Sequence, residues 1–462
     1  MTCGANTSNG LMAVWYKLAM PQENEIQAPK KELVRAIGRW GLAAVAANSV
    51  IGSGIFGLPA PLAGHLGKLG PLAVVLTGLG MGLIVVCLAE TASHFSASGG
   101  PYLYARAAFG RYVGIQTGWL FWLMRITAPA ANGNLFVIYL AEFWPRAKDP
   151  MPRFMILTLL IWGLAWINIR GVRQGAQISS LFIVAKLATL LTVVLAGTAY
   201  LLMHPAGTAA ASNVVSSPAL SAWLKSALLL AFAYGGFESS LALAGEATDP
   251  RRDPGFAICV AVGGCIVLFA LLQWVAIGTV TNLAHSQRPL TDAARISLGW
   301  IGAVAVTIGA LVATFGNLTA NMLAVPRITF ALAEQGDFPA FLGAIHPRFR
   351  TPYFSILAFA FLNWMFTLVG SFTWNVLLSA IARLFVYAVC CAALPVLRRK
   401  MPPNDGFRLP GGTVFAGAAI LFCLLLFTQV NFGGAIVLFA VLLIGTCNWL
   451  AVRRKPASAQ SD

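Results

Sequence analysis

Two glycine-interrupted stretches carry the residue types and spacing best suited to binding a small molecule. Asn48-Ser49-Val50-Ile51-Gly52-Ser53-Gly54-Ile55-Phe56 lies in the first long apolar segment, and Phe232-Ala233-Tyr234-Gly235-Gly236-Phe237-Glu238-Ser239 lies in the sixth. Glycine inside a helix costs about 1 kcal/mol against alanine. Two glycines bracketing a serine therefore predict a helix that opens. Freed amides and carbonyls cannot face lipid, so unwound backbone at bilayer depth must be buried or line a polar cavity. Paired interruptions in corresponding segments point to a site built largely from backbone groups. The competing reading is that small residues merely let helices pack closely. The second interruption favours the site.

Four ionisable side chains also fall inside apolar segments. Lys186 stands at mid-depth in Ile178 to Leu195 with no acidic residue near it in sequence. A lysine at a helix centre costs about 2.5–3.5 kcal/mol on insertion, and snorkelling from the middle is hard. It reads either as a group that gives up and regains a proton or as a charged strut between two helices. Glu238 follows the second interruption; it could bind a cationic substrate, accept a proton, or hydrogen-bond the unwound loop. Arg383 is expected to pair or to cap helix carbonyls. Arg125 is expected to line the pathway and to disfavour cationic substrates by like-charge repulsion.

The elements that must position these residues are membrane spans. With 58% hydrophobic and only 10% charged residues, the length of this chain scales with spans, not with soluble domains. A helix needs about 20 apolar residues to cross the hydrocarbon core. On that rule twelve intervals qualify: 41–65, 70–95, 113–143, 154–169, 176–203, 221–247, 256–281, 300–333, 353–370, 373–397, 412–429 and 432–451. The net charge of +16 would suggest nucleic acid, but its placement points elsewhere. Most lysines and arginines fall in loops on one side, against Lys68, Arg146, Lys148, Arg153, Lys225, Arg288 and Arg295 on the other. The positive-inside rule then places both termini in the cytoplasm. No nucleic-acid partner is needed to explain the basicity.

The segmentation predicts a cytoplasmic tail over 1–37, five spans over 38–203, an external linker over 204–220 and five more spans over 221–400. Two final spans follow over 401–451, then a tail over 452–462. Because the linker separates five spans from five, and each set begins with an interrupted helix, it reads as the joint between two repeats. The eight cysteines lie mostly in apolar runs without metal-ligand spacing and read as small buried hydrophobes. No nucleotide loop or nucleophile elbow appears, and the five histidines sit near span ends or in loops. These features argue against an enzyme, and no cofactor or metal is called for.

Four separated motifs carry a family resemblance. They are Ile51-Gly52-Ser53-Gly54-Ile55-Phe56 with Pro59; Ser98-Gly99-Gly100-Pro101-Tyr102 through Phe109-Gly110 with Gly118-Trp119; Gly236-Phe237-Glu238 to Gly245-Glu246-Ala247-Thr248-Asp249-Pro250-Arg251-Arg252; and Pro326-Arg327 through Glu334-Gln335-Gly336-Asp337-Phe338-Pro339 to His346-Pro347-Arg348-Phe349-Arg350-Thr351-Pro352. In order and spacing the chain resembles the amino acid–polyamine–organocation (APC) permeases. It departs from the family's pattern at Pro101, at Asp253-Pro254-Gly255 and at Arg125, which bears on substrate class more than on fold.

The resemblance implies an all-α membrane protein of about twelve helices, a LeuT-type 5+5 inverted repeat with helices one and six broken. It implies a secondary transporter of amino acids working by alternating access, sodium-independent and proton-coupled. Amides at Ser53, Gly54 and Ile55 would receive the substrate carboxylate at a helix N-terminus. Carbonyls near Val50, Ile51, Phe232, Ala233 and Gly235 would receive the ammonium, with Gly52 and Gly236 opening the two helices. Phe232 and Tyr234 are the candidate aromatic gate, against a packing role. Lys186 matches the family's lysine that stands where related transporters hold sodium, and would bridge the first helix to Thr314, Asn317 and Thr319. Glu90, and Glu246 to Asp249 with Arg251 and Arg252, read as cytoplasmic gate or loop charges. The implied partners are an amino acid, protons and the lipid bilayer; oligomeric state is left open.

Several readings stay open beside the symporter. An exchanger differs only in the role of Lys186. A polyamine carrier is disfavoured because Glu238 alone offers negative charge near the site. A sensor that has lost turnover shares every motif, and a channel would need a continuous polar pore. Short loops suit a bacterial inner membrane.

Overall fold

A computed structural model of the chain describes residues 37–95, 100–171, 175–204, 215, 217–242, 247–401 and 407–453, with backbone only for 175–183 and 242. Residues 1–36 of the tail expected over 1–37, most of the 204–220 linker, Ser98, Gly99, Gly245, Glu246 and residues 454–462 lie outside the described residues.

The first apolar segment forms α1 (Arg39–Val50), α2 (Ser53–Gly57) and α3 (Pro59–Leu66), and the second forms α4 (Gly70–Ser93). A short helix, α5 (Gly100–Phe109), leads into α6 (Arg111–Leu140), α7 (Pro150–Arg170) and α8 (Gly175–Met203). The sixth segment divides into α9 (Leu220–Ala233) and α10 (Glu238–Ala242). Then come α11 (Asp253–Thr279), α12 (Pro289–Glu334), α13 (Tyr353–Val369), α14 (Phe372–Lys400), α15 (Gly412–Phe427) and α16 (Phe432–Val452). No strand occurs among the described residues; Ile37 and Ala247 make one isolated bridge. Nine stretches of helix among the described residues are long and apolar enough to cross a membrane, and α13 and α15 are shorter apolar helices. Each of the twelve expected intervals overlaps helix among the described residues; α6, in the interval 113–143, is not among the nine. The eighth is entered after a turn: α12 leaves helical geometry at Gly299 (φ 71°, ψ −157°), a left-handed conformation that glycine adopts without penalty.

The fold runs α1 beside α11, where Leu42 and Ala43 pack on Ala247 and Ala257. Between helices in lipid the hydrophobic effect adds little, so packing and hydrogen bonds must hold the bundle. Close approach is visible where α8 meets α12: a Cβ on Gly309 would collide with Thr189. The middle of α6 is pinned by two side chains that reach its carbonyls. Ser379 Oγ donates to Met124 O (3.2 Å) and Asn363 Nδ2 to Ile126 O (3.1 Å).

Charged clusters tie the helix ends. Where α1 begins, Asp337 accepts from Arg106 and Arg111, each at 2.7 Å, and from Tyr102, joining α5 and α6 to the end of α12. At the same end Glu90 takes a bidentate pair from Arg398 (2.7 and 2.8 Å) and the Leu409 amide (2.9 Å). Asp249 accepts the amides of Arg251 and Arg252 (3.0 and 3.2 Å), so it is a loop charge that shapes the turn into α11. At the opposite end Glu142 holds Arg288 (2.8 Å) and Arg295.

Candidate functional site

Both expected interruptions are present, and they touch. Helix α1 ends at Val50, Ile51 leaves helical geometry (ψ 87°), and Gly52 is extended before α2 resumes at Ser53. Helix α9 ends at Ala233, and α10 starts at Glu238 after Gly236 adopts φ +115°, which favours glycine. A Cβ on Gly54 would lie 2.8 Å from Ala233 Cα, and one on Gly236 would crowd Ser49 O and stand 3.1 Å from Val50 N. Each break is thus seated on the other through a missing side chain. Gly54→Ala is expected to part the two helices and lower transport about tenfold, since a displacement near 1 Å at a site can cost more than that. Proteoliposome uptake beside a thermal melt of the same protein checks this, and unchanged uptake would show that the close seat is dispensable.

Around these breaks the expected residues are brought together, and all are buried. Ser53 is 1% exposed and its Oγ has no hydrogen-bond partner, whereas buried polar atoms are ordinarily paired. The amides of Ser53, Gly54 and Ile55 open α2, where no earlier helical carbonyl can receive them. Lys186 Nζ donates to Ile51 O (3.1 Å), Asn48 O (3.4 Å) and Asn48 Oδ1 (3.2 Å). It therefore caps the carbonyl end of α1, whose dipole favours a cation. The expected bridge to α12 is corrected. Thr314 and Thr319 hydroxyls donate to the carbonyls of Ala310 and Phe315, and Asn317 Oδ1 accepts from Asn321. Hydroxyls inside a helix bond back to the preceding turn and keep the capacity to accept, but the three hydrogen bonds of Lys186 all go to Asn48 and Ile51. With Lys186 on Ile51 O and the Gly52 amide on Val50 O (2.9 Å), these two carbonyls already hold donors, and the Phe232 carbonyl accepts the Gly235 amide (3.1 Å).

The aromatic pair divides. Tyr234 is fully buried, donates to Val74 O (2.8 Å) and leans on Phe269, so its hydroxyl is committed to α4 and not to a gate. Phe232 packs beside Gly54 at the break.

Of its three readings, Glu238 takes the loop-binding one. Its Oε2 accepts the Gly236 amide (2.9 Å) and the Tyr387 hydroxyl (3.0 Å), and its Oε1 pairs with Arg383 Nη1 (3.3 Å). Arg383 also donates to Tyr387 Oη (3.2 Å), and a Cβ on Gly235 would fall inside its guanidinium. Arg383 thus pairs, as expected, and does not cap carbonyls. Arg125 Nη2 donates to Ser239 Oγ (2.8 Å) with its guanidinium 5.3 Å from the Phe121 ring.

Asn48 and Ser239 stand at the outer ends of the two glycine-interrupted stretches with no role assigned from pattern, and Tyr387 lies outside both. Tyr387 had one usable signal, a hydroxyl four residues after Arg383 on the same helix face. Asn48 and Ser239 had none beyond adjacency to the breaks. Two surface cavities lie elsewhere. One of about 410 Å³ is lined by Asn134, Arg153 and Gly370, and one of about 520 Å³ by Trp119, Asn448 and Val452. At the rim of the first, desolvation and the nearby Arg288 hold Lys148 below the ordinary lysine value.

The described residues thus form an all-helical bundle of apolar, membrane-length helices in which two breaks abut. The chain belongs to the amino acid permease family, whose pattern it matches over residues 37–444, and that family comprises transporters rather than enzymes. It is 28% identical over 414 residues to an uncharacterized transporter of Mycobacterium tuberculosis (strain H37Rv), covering 84% of this chain and 90% of that one. It is 24% identical over 455 residues to the branched-chain amino acid permease BcaP of Bacillus subtilis, covering 92% and 94%. It is 27% identical over 396 residues to an arginine/agmatine antiporter of Chlamydia abortus, covering 80% of each.

Proposed function

We propose that this chain is a secondary active transporter that carries amino acids across the cytoplasmic membrane by alternating access, without sodium and coupled to protons. The observation that carries the reading is Lys186 seated on the Ile51 and Asn48 carbonyls, at a break that itself abuts the break between α9 and α10. An ammonium there supplies the positive charge that a sodium ion would otherwise bring to the end of α1. Loss of its proton would remove the donors that tie α8 to α1, so proton movement and helix movement share one group. The zwitterion's carboxylate would lie on the amides of Ser53 to Ile55 with Ser53 Oγ, and its ammonium on the carbonyls of Ala233 and Gly235. Phe232 would close over it.

In this reading the helices form a LeuT-type 5+5 inverted repeat, 38–203 and 221–400, followed by two further spans, with both termini cytoplasmic. The interrupted first and sixth segments, at equivalent places in the two sets, support that arrangement. The relatives' names, a branched-chain amino acid permease and an arginine/agmatine antiporter, support amino acids as the substrate class. The exchanger remains the second reading, because the same three hydrogen bonds of Lys186 would serve a permanent strut.

The test is uptake of a mixed labelled amino-acid pool into sodium-free proteoliposomes. Accumulation driven by an inward proton gradient supports symport. Stimulation only by preloaded amino acid replaces symport with exchange. No flux and no amino-acid-dependent shift in melting temperature would remove the transport reading.

A further inference from the structure

The polar centre behind the breaks is short of negative charge. Three cations are buried there: Arg125 at 9% exposure, Lys186 at 2% and Arg383 at 3%. One carboxylate, Glu238, faces them, and its oxygens are already taken by Arg383, Tyr387 and the Gly236 amide. The other buried acids among the described residues, Glu90 and Asp337, are bound to arginines at the end where α1 begins. Lys186 is satisfied by neutral oxygens. Arg125 is not satisfied in the same way. It interacts electrostatically with Glu238, its hydrogen bond goes to the neutral Ser239 hydroxyl, and its buried Nε, like that of Arg383, has no partner. A second orphan donor, Ser53 Oγ, lies at the opposite break.

Buried guanidiniums are ordinarily matched by a carboxylate or phosphate, commonly through two parallel hydrogen bonds. Arg125 shares the Glu238 charge with Arg383, and a guanidinium without its own carboxylate is costly inside a membrane. The position suits a substrate side chain. Ser239, which Arg125 holds, is the second residue of α10, next to Glu238 and just past the turn that separates α9 from α10. The Phe121 ring beside the guanidinium and the pinned carbonyls of Met124 and Ile126 fix Arg125 in place.

Resting on the amino acid transport reading, we propose that the substrate carries a second carboxylate, as glutamate and aspartate do, and that Arg125 is its specificity-determining partner. The guanidinium supplies Nε and a terminal nitrogen to the side-chain carboxylate, and the arriving anion neutralises the excess positive charge. The same excess repels arginine and polyamines.

The test uses the isosteric pair glutamate and glutamine against the full-length protein in proteoliposomes, with leucine and arginine for comparison and potassium chloride as the inorganic control. Glutamate is expected to compete for uptake, and to raise the melting temperature, at concentrations at least tenfold below glutamine. Arg125→Gln is expected to erase that difference by weakening glutamate at least tenfold more than glutamine, and Arg125→Lys to restore part of it. Should Arg125→Gln not fold, the wild-type glutamate-to-glutamine ratio decides by itself. Equal competition by the two amino acids, or stabilisation by chloride alone as large as that by glutamate, overturns the proposal while leaving amino acid transport standing. Failure of every amino acid to bind or move overturns both.

Discussion

Lys186→Ala is expected to abolish accumulation driven by a proton gradient, lowering it by at least about tenfold, the factor that 1.4 kcal/mol represents. Three acceptors depend on this ammonium: Ile51 O, Asn48 O and Asn48 Oδ1. Hydrogen bonds to a charged group contribute about 1.5–3 kcal/mol each, so losing them leaves the end of α1 without its counter-charge. Alanine alone cannot separate a coupling role from a strut. Lys186→Arg can, because a guanidinium keeps the charge and donors but does not deprotonate in proteins. If Lys186 carries the proton, the arginine variant keeps exchange between preloaded and external amino acid but loses gradient-driven accumulation. Retention of full gradient-driven uptake by either variant would sink the coupling role.

The second large effect concerns stability. Glu238→Gln preserves shape and the means to accept from the Gly236 amide and Tyr387, but it removes the one negative charge among Arg125, Lys186 and Arg383. Taking one partner from a buried ion pair costs about 3–5 kcal/mol, a large part of the stability of a typical fold. The melting temperature of the detergent-solubilised variant is expected to fall by several degrees. Adding Arg383→Gln to Glu238→Gln should return part of the loss, because residues sharing one network couple by about 0.5–3 kcal/mol. A double variant whose loss equals the sum of the two single losses would contradict a direct pair. The same measurement bears on the charge excess. Arg125 interacts with Glu238 as well as Arg383 does, so Glu238→Gln should also alter the protein's response to acidic amino acids.

Local signals carried far in this chain because each had a single physical cause. Long apolar runs can span a bilayer only as helices, since lipid offers no partner to free amides. Each of the twelve intervals accordingly overlaps helix among the described residues, and two glycine-rich clusters inside such runs became breaks. The short helix α5 lies in a stretch that hydropathy assigns to a connection, because ten residues with Arg106 are too few and too polar to register as a span.

Composition and spacing by themselves determined that this is a helical membrane protein, where its helices run, where two of them open and which buried charges need an explanation. Those conclusions follow from the cost of exposing backbone or charge to hydrocarbon, which each segment bears by itself. Only the tertiary structure decided who answers those charges: that Lys186 caps α1 and not α12, that Glu238 is consumed by Arg383 and Tyr387, that Tyr234 turns to Val74, and that Arg125 is left with an orphan nitrogen. Partners such as Glu238 and Arg383 stand 145 residues apart, and hydrogen bonding is directional over about 3 Å. No pattern along the chain encodes which of several helix faces will meet at that range.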